Sequence, residues 1–363
     1  IFMGVMLLAL PQGLVAEAMG GELSPPRAGS LAASVVTSFD AASSFFDGDG
    51  AREPLSDTAN ASWWSLAYGL EIAYGFSPAV GARIAWLPGF TFPSRYTGDE
   101  DRRRNGASNL RLEVPVLLMG ACEAAAVAGT EQEEGVARRR GLLADSTAFS
   151  LTAAPVGIIK IRGYDLEAQA DRRQTGETYI AEHPDRKAHA AGLALAEAMP
   201  LGRSARLFSS QQVLFYFPAD YAEQSLANYD RNVIRDAIED AYPFDTIYYR
   251  YRLSGSLGGS YVLQEAPRTR WRAGLTVIGH YMPAPIVDDI LVENTDSFVV
   301  AAEPAISVSP AVWNYRTSFE LSWSIPLFGK NEDAAHEIAL AFRTTLYSPD
   351  GDESQADDSD TGE

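Results

Sequence analysis

The stretch WSLAYGLEIAYGF, residues 64–76, alternates without a break. Its even positions are Trp64, Leu66, Tyr68, Leu70, Ile72, Tyr74 and Phe76; its odd positions are Ser65, Ala67, Gly69, Glu71, Ala73 and Gly75. A period of two is the mark of a β-strand, whose successive side chains point to opposite faces. The run is long, because strands of soluble domains usually hold roughly five or six residues. One face is bulky and apolar and the other small or polar, so each must meet a different solvent.

The pattern recurs along the chain. Residues 79–92, AVGARIAWLPGFTF, place Val80, Ile84, Trp86, Phe90 and Phe92 opposite Gly81, Arg83 and Ala85. In residues 247–264 Ile247, Tyr249, Tyr251, Leu253, Leu257, Tyr261 and Leu263 oppose Arg250, Arg252, Ser254, Ser256, Ser260 and Gln264, and beyond EAPRT Trp271, Leu275, Val277 and Tyr281 oppose Arg270, Arg272, Thr276 and His280. Residues 313–327 set Trp313, Phe319, Leu321, Trp323 and Ile325 against Arg316, Ser318, Glu320, Ser322 and Ser324. A β-sandwich also alternates. Strand length, the aromatic content and the Gly, Ala, Ser, Arg and Glu face instead suit a barrel with lipid outside and water inside.

Connection lengths give an independent test. Strands are predicted at 30–46, 62–76, 79–92, 108–120, 147–161, 188–200, 204–217, 246–264, 269–282, 296–309, 312–327 and 336–347, which makes an all-β, antiparallel, up-and-down transmembrane barrel of about 12 strands. Short links such as SPAV at 77–80 and again at 309–312 alternate with long polar ones at 47–61, 93–107, 162–187, 218–245 and 283–295. Outer-membrane barrels alternate in this way between periplasmic turns and outer loops. Residues 121–146 break the pattern, which implies an extra hairpin or a periplasmic excursion there. Trp271 and Trp313 follow short turns while Trp63, Trp64 and Trp323 lie near long loops, as two interfacial girdles require.

The chain has 363 residues, a net charge of −19 and one cysteine, Cys122. Such a charge argues against a nucleic-acid partner. No internal disulfide can form, and no Cys or His spacing suits a metal. Three segments are expected: a signal peptide over residues 1–18, in which IFMGVMLLAL precedes the small residues Ala16 and Ala18; a single barrel domain over 30–347; and a disordered acidic tail over 348–363 with seven acids and no base. No run of 18 or more apolar residues follows the start, so no transmembrane helix is expected.

With these features the chain resembles bacterial outer-membrane β-barrel proteins, including uncharacterised ones of spirochaetes, and more distantly the long-chain fatty-acid transporter and the aromatic-degradation pathway porins. The resemblance rests on the signal-like start, the paired SPAV turns, the IPLFGKN loop and the last strand EIALAFRTTLY, and spans most of 30–347. It implies residence in the bacterial outer membrane, contact with its lipid, and handling by the barrel assembly machinery, which reads a terminal aromatic. Tyr347 is the candidate for that residue, although sixteen residues follow it.

No cofactor is expected, and no catalytic residue is assigned. Outer-membrane phospholipase A is similar in architecture only; its chemistry needs a serine activated by a histidine, and none of His183, His189, His280 and His336 has such a serine beside it in sequence. The candidate lumen face carries Glu71, Arg83, Arg111, Glu113, Arg250, Arg252, Arg270, Arg272, Glu303, Arg316 and Glu320, together with Glu337 and Arg343. Mixed charge of this kind suits a narrow polar channel, and equally suits ion pairs that fill and brace a small barrel. The expected function is passive passage of small hydrophilic solutes, with a mild preference for anions; a surface adhesion or structural barrel without an open pore is the alternative. In 218–245, Leu226, Tyr229, Val233 and Ala237 share a helical face that could cap the pore.

Overall fold

A computed structural model describes residues 23–54, 62–97, 99–120, 149–161, 181–182, 188–202, 204–220, 246–266, 269–287, 289–291, 293–312 and 315–347. The barrel strands are β1 (Leu31–Ala42), β2 (Ser62–Gly75), β3 (Gly81–Thr97), β4 (Leu110–Glu113, resumed as Val116–Met119), β5 (Ser150–Ile159) and β6 (Ala190–Leu201). They continue as β7 (Ala205–Tyr216), β8 (Tyr251–Ala266), β9 (Thr269–Met282), β10 (Ser297–Val312), β11 (Tyr315–Lys330) and β12 (His336–Tyr347). Each strand pairs antiparallel with its sequence neighbours, and β12 returns to β1, from Leu31↔Tyr347 to Ala41↔His336. The result is a closed barrel of 12 antiparallel strands.

The alternation in the sequence becomes two faces. Ile72, Ile84, Leu257, Leu275 and Leu340 are exposed on the outside, while Ala73, Ala85, Ser256, Thr276 and Ala341 are buried inside. Outward Tyr68, Trp86, Phe90 and Phe92 form one aromatic group, with ring centroids 5.6–6.2 Å from Tyr68. Among the described residues no helix is long and apolar enough to cross a membrane. The closed barrel is compatible with a hydrocarbon solvent, because it satisfies the backbone groups of its strands internally.

The first short turn explains itself locally. Ser77 Oγ accepts from the amides of Ala79 and Val80 at 3.3 and 3.1 Å, and Phe76 N donates to Val80 O. The seam between β3 and β4 is the weakest in the wall. Only Arg83↔Glu113, Ile84↔Leu112 and Ala85↔Arg111 are in register, with a further bridge at Val80↔Val116. Pro115 lies in the break of β4, where its missing N–H would otherwise leave a ladder bond unmade.

The predicted loop 93–107 differs from expectation. Its charged residues Asp99–Ala107 form a strand that pairs with the upper part of β3, so this hairpin rises beyond the barrel wall. At the same end, Ser44–Phe46 pairs with Arg52–Pro54 and Glu332–Asp333, and Thr246–Tyr248 joins Ala219–Asp220 and Ile286–Val287. The signal peptide, the 121–146 excursion, the 226–237 helix and the acidic tail lie outside the described residues.

Candidate pore lumen

Residues 23–30 run into the barrel at the short-turn end. The approach is close: Gly29 N donates to Gly75 O at 2.7 Å, and a Cβ on Gly75 would fall 2.1 Å from Arg27 O. Glycine is therefore required at 75, where backbone meets backbone. Leu23 and Pro25 are buried, and Leu23 and Ser24 help to line a small pocket, partly open to solvent, with Ser150, Thr152, Arg206 and Phe208. The Phe208 ring crosses the inner wall of β8: a Cβ on Gly258 would sit 2.6 Å from that ring and 2.7 Å from Thr276 Oγ1.

One wall carries a connected ion network. Arg83 Nε lies 3.7 Å from Glu71 and its Nη1 3.4 Å from Glu113, Arg111 also binds Glu113, and Arg111 Nη2 donates to Gln212 Oε1 at 2.7 Å. The Glu113 side chain is 2% exposed. This network spans the weak β3–β4 seam, so these four predicted residues brace the wall as well as face the interior.

A second stretch of wall is acidic. Register places Thr276 beside Glu303, Ser324 beside Glu337, Glu337 beside Asp40, and Asp40 beside Ser65, all inward. Ser65 Oγ donates to Asp40 at 3.2 Å. Glu303 and Glu320 are buried on this side. The arginines gather elsewhere. Arg206 pairs across β7 and β8 with Ser260, Arg272 pairs with Ser307, and Arg270 lies 3.7 Å from the exposed Glu265 near the short-turn end. Arg252 is half-buried in register with Leu214. Arg343 stands inward beside Ser34. Arg316 pairs with Ala311 at the short-turn end, and its side chain lies outside the described residues.

Arg250 departs from its predicted place, and so does Tyr249. Arg250 has φ 61°, which breaks the alternation just before β8 begins. Tyr249 consequently turns inward, with its ring 6.1 Å from that of buried Tyr216. Arg250 instead lies over Tyr251 at 5.8 Å, and Tyr251 packs on the outward rings of Phe215 and Tyr281. Sequence reading also passed over Asp40, Arg206, Phe208 and Gln212. All four could have been found from strand parity, since each follows the inward phase of its strand. A third part of the wall, around Val156, Ala194, Leu214, Tyr216, Tyr249 and Met282, is apolar.

At the long-loop end His280 Nε2 and Glu332 Oε1 are 3.1 Å apart, and Ser297 Oγ donates to the same carboxylate oxygen at 2.9 Å. The serine reaches the acid, whereas serine activation needs it to reach the imidazole. Among the described residues no three His, Cys, Asp or Glu side chains are grouped to hold a metal.

This is the architecture of a bacterial outer-membrane β-barrel: an apolar belt outside, ionised side chains inside, and turns and loops segregated to opposite ends. No protein-family model and no curated protein matches the sequence. Among solved structures the chain is similar to an outer-membrane channel of Pseudomonas putida F1, with a TM-score of 0.54, 10% identity, and coverage of 90% of this chain and 98% of that one. It is more weakly similar to the toluene transporter TbuX of Ralstonia pickettii, with a TM-score of 0.40, 10% identity, and coverage of 92% and 98%. The first likeness fixes the fold as a closed β-barrel of this architecture.

Proposed function

We propose that the protein is a passive outer-membrane channel for small hydrophilic solutes, with a preference for anions. The observation that carries this reading is the inversion of polarity across one wall. In β9, Trp271 and Leu275 face outward while Arg270, Arg272 and Thr276 face inward. Charges in a barrel interior must be paired or hydrated, and the cavity beside Arg206 has hydroxyl groups on three strands, from Thr152, Ser210 and Ser256. The preference for anions rests on Arg206, Arg270 and Arg272, which share the short-turn mouth with Glu265 as the acid beside them.

A second reading has its own observation. The apolar wall around Val156, Leu214, Tyr216 and Met282 suits a small apolar or amphipathic solute. Refolded protein in planar bilayers and in sugar-loaded liposomes separates the two. Steady ion conductance with swelling in neutral sugars supports the hydrophilic channel. Uptake of small aromatics without sugar permeation transfers the assignment to the second reading, and neither activity transfers it to an adhesion or structural barrel.

A further inference from the structure

The outer face of the barrel is largely apolar, and one carboxylate interrupts it. In β6 the even residues point inward, as buried Ala190, Ala194 and Ala198 show, so Glu197 points out with Leu193, Leu195 and Met199. Among the described residues of the belt between the two strand ends, Glu197 is the only acid, lysine, arginine or histidine with outward parity. Its carboxylate is held by a short relay on the same face: Gln211 Nε2 donates to Ser209 Oγ at 3.1 Å, and Ser209 Oγ donates to Glu197 Oε2 at 3.0 Å.

The relay lies well inside the apolar belt. Leu201, Ala205 and Tyr261 share one row at the short-turn end, and Glu197, Ser209 and Leu257 share the row four residues above it. Four residues of a tilted strand climb roughly 10 Å along the membrane normal. Polar groups at that depth are costly against lipid and are found where another polar surface meets them. Beside the relay the wall is flat. Gln211 adjoins Gly255, and Gly255 adjoins Gly279, so two neighbouring strands present no side chain outward at this height, while Leu195 and Leu257 project on either side. Small residues of this kind let backbones approach closely within a membrane.

We propose that this face, centred on Glu197, Ser209 and Gln211 and extended by Gly255 and Gly279, is the interface with a second copy of the chain. The argument for this partner is self-complementarity. A two-fold contact must match a patch to itself, and the patch carries both halves of the match. Gln211 retains a second amide hydrogen and Glu197 a second oxygen, so each carboxamide can meet the opposing carboxylate. The leucines beside the relay likewise find a flat glycine surface opposite them.

The test uses the full chain with Cys122 replaced by serine. Single cysteines are placed at Gln211, inside the patch, and at Ile84, on the far wall, and the proteins are reconstituted in lipid and oxidised. Efficient disulfide dimers from Gln211→Cys with none from Ile84→Cys are expected. Glu197→Leu combined with Gln211→Leu should convert the dimer to a monomer by native mass spectrometry and by single-molecule bleaching in bilayers. Both substitutions swap a polar group for an apolar one on the lipid face, so the heat-modifiable gel shift of the folded barrel should persist, and channel conductance per barrel should not change. A wild-type protein that is monomeric in lipid overturns the proposal, and so does a dimer that survives the double substitution. Loss of the gel shift in the leucine variant leaves the decision to the cysteine pair, which keeps the native Glu197.

Discussion

Replacing Glu113 by alanine should loosen one identifiable seam. Its buried carboxylate lies 3.4 Å from Arg83 and is shared with Arg111. Truncation leaves two guanidinium groups on one wall, with Glu71 3.7 Å from Arg83. Removing one partner of a buried pair costs about 3–5 kcal/mol. Glu71 and the Gln212 carboxamide, 2.7 Å from Arg111, offset part of this, so a loss of about 3 kcal/mol is expected. The effect should be local, because β3 and β4 share three register pairs whereas β1 and β12 share eleven. Urea unfolding of the refolded barrel in detergent, followed by tryptophan fluorescence, measures the loss. Hydrogen exchange of residues 110–119 measures its place, with a factor of roughly 100 expected from a 3 kcal/mol opening. A loss below about 1 kcal/mol, or faster exchange at β1 and β12 but not at β4, would refute the bracing role.

Changing Arg270 and Arg272 together to serine should move the reversal potential in a salt gradient towards cations, whereas Arg250→Ser should leave it unchanged because that guanidinium lies over Tyr251 outside the lumen. Gly258→Ala should push the Phe208 ring away from the wall, since the new methyl would sit 2.6 Å from it; stability should fall by about 1–3 kcal/mol and single-channel conductance should change, and adding Phe208→Leu should restore both. In single-tryptophan variants Trp64 and Trp323, which are 40% and 46% exposed, should be quenched by brominated lipid and spared by aqueous acrylamide; the reverse would invert the assignment of barrel faces.

Most of the barrel was legible because a lipid-facing strand writes its orientation into every second residue. Leu66 to Phe76 and Phe319 to Ile325 could be read directly, and the strand ends were close to those observed. Where the pattern failed, a local physical event had replaced it. The positive φ at Arg250 reversed parity between Tyr249 and Tyr251, so an inward arginine was expected where an inward tyrosine stands. Asp99–Ala107 contains few apolar residues, and its strand is defined by pairing with β3 beyond the membrane, where neither face needs lipid. In β6 the outward face is less plain in sequence, because Glu197 interrupts its apolar residues. The ion network was legible as a set of charges but not as a set of partners, since Arg111 meets Gln212 from a strand 101 positions away.

The joining of β1 to β12 also constrains how the protein is made. Leu31 and Tyr347 are partners although more than 300 positions separate them. A ring closed by its first and last strands has no stable intermediate in hydrocarbon, because any partial sheet ends in two rows of unpaired N–H and C=O groups. Such long-range pairing also makes folding slow, since loop closure must precede the contacts that reward it. The chain therefore has to be sheltered at both edges until His336–Tyr347 arrives, and insertion should be an all-or-none event timed by delivery of the final strand.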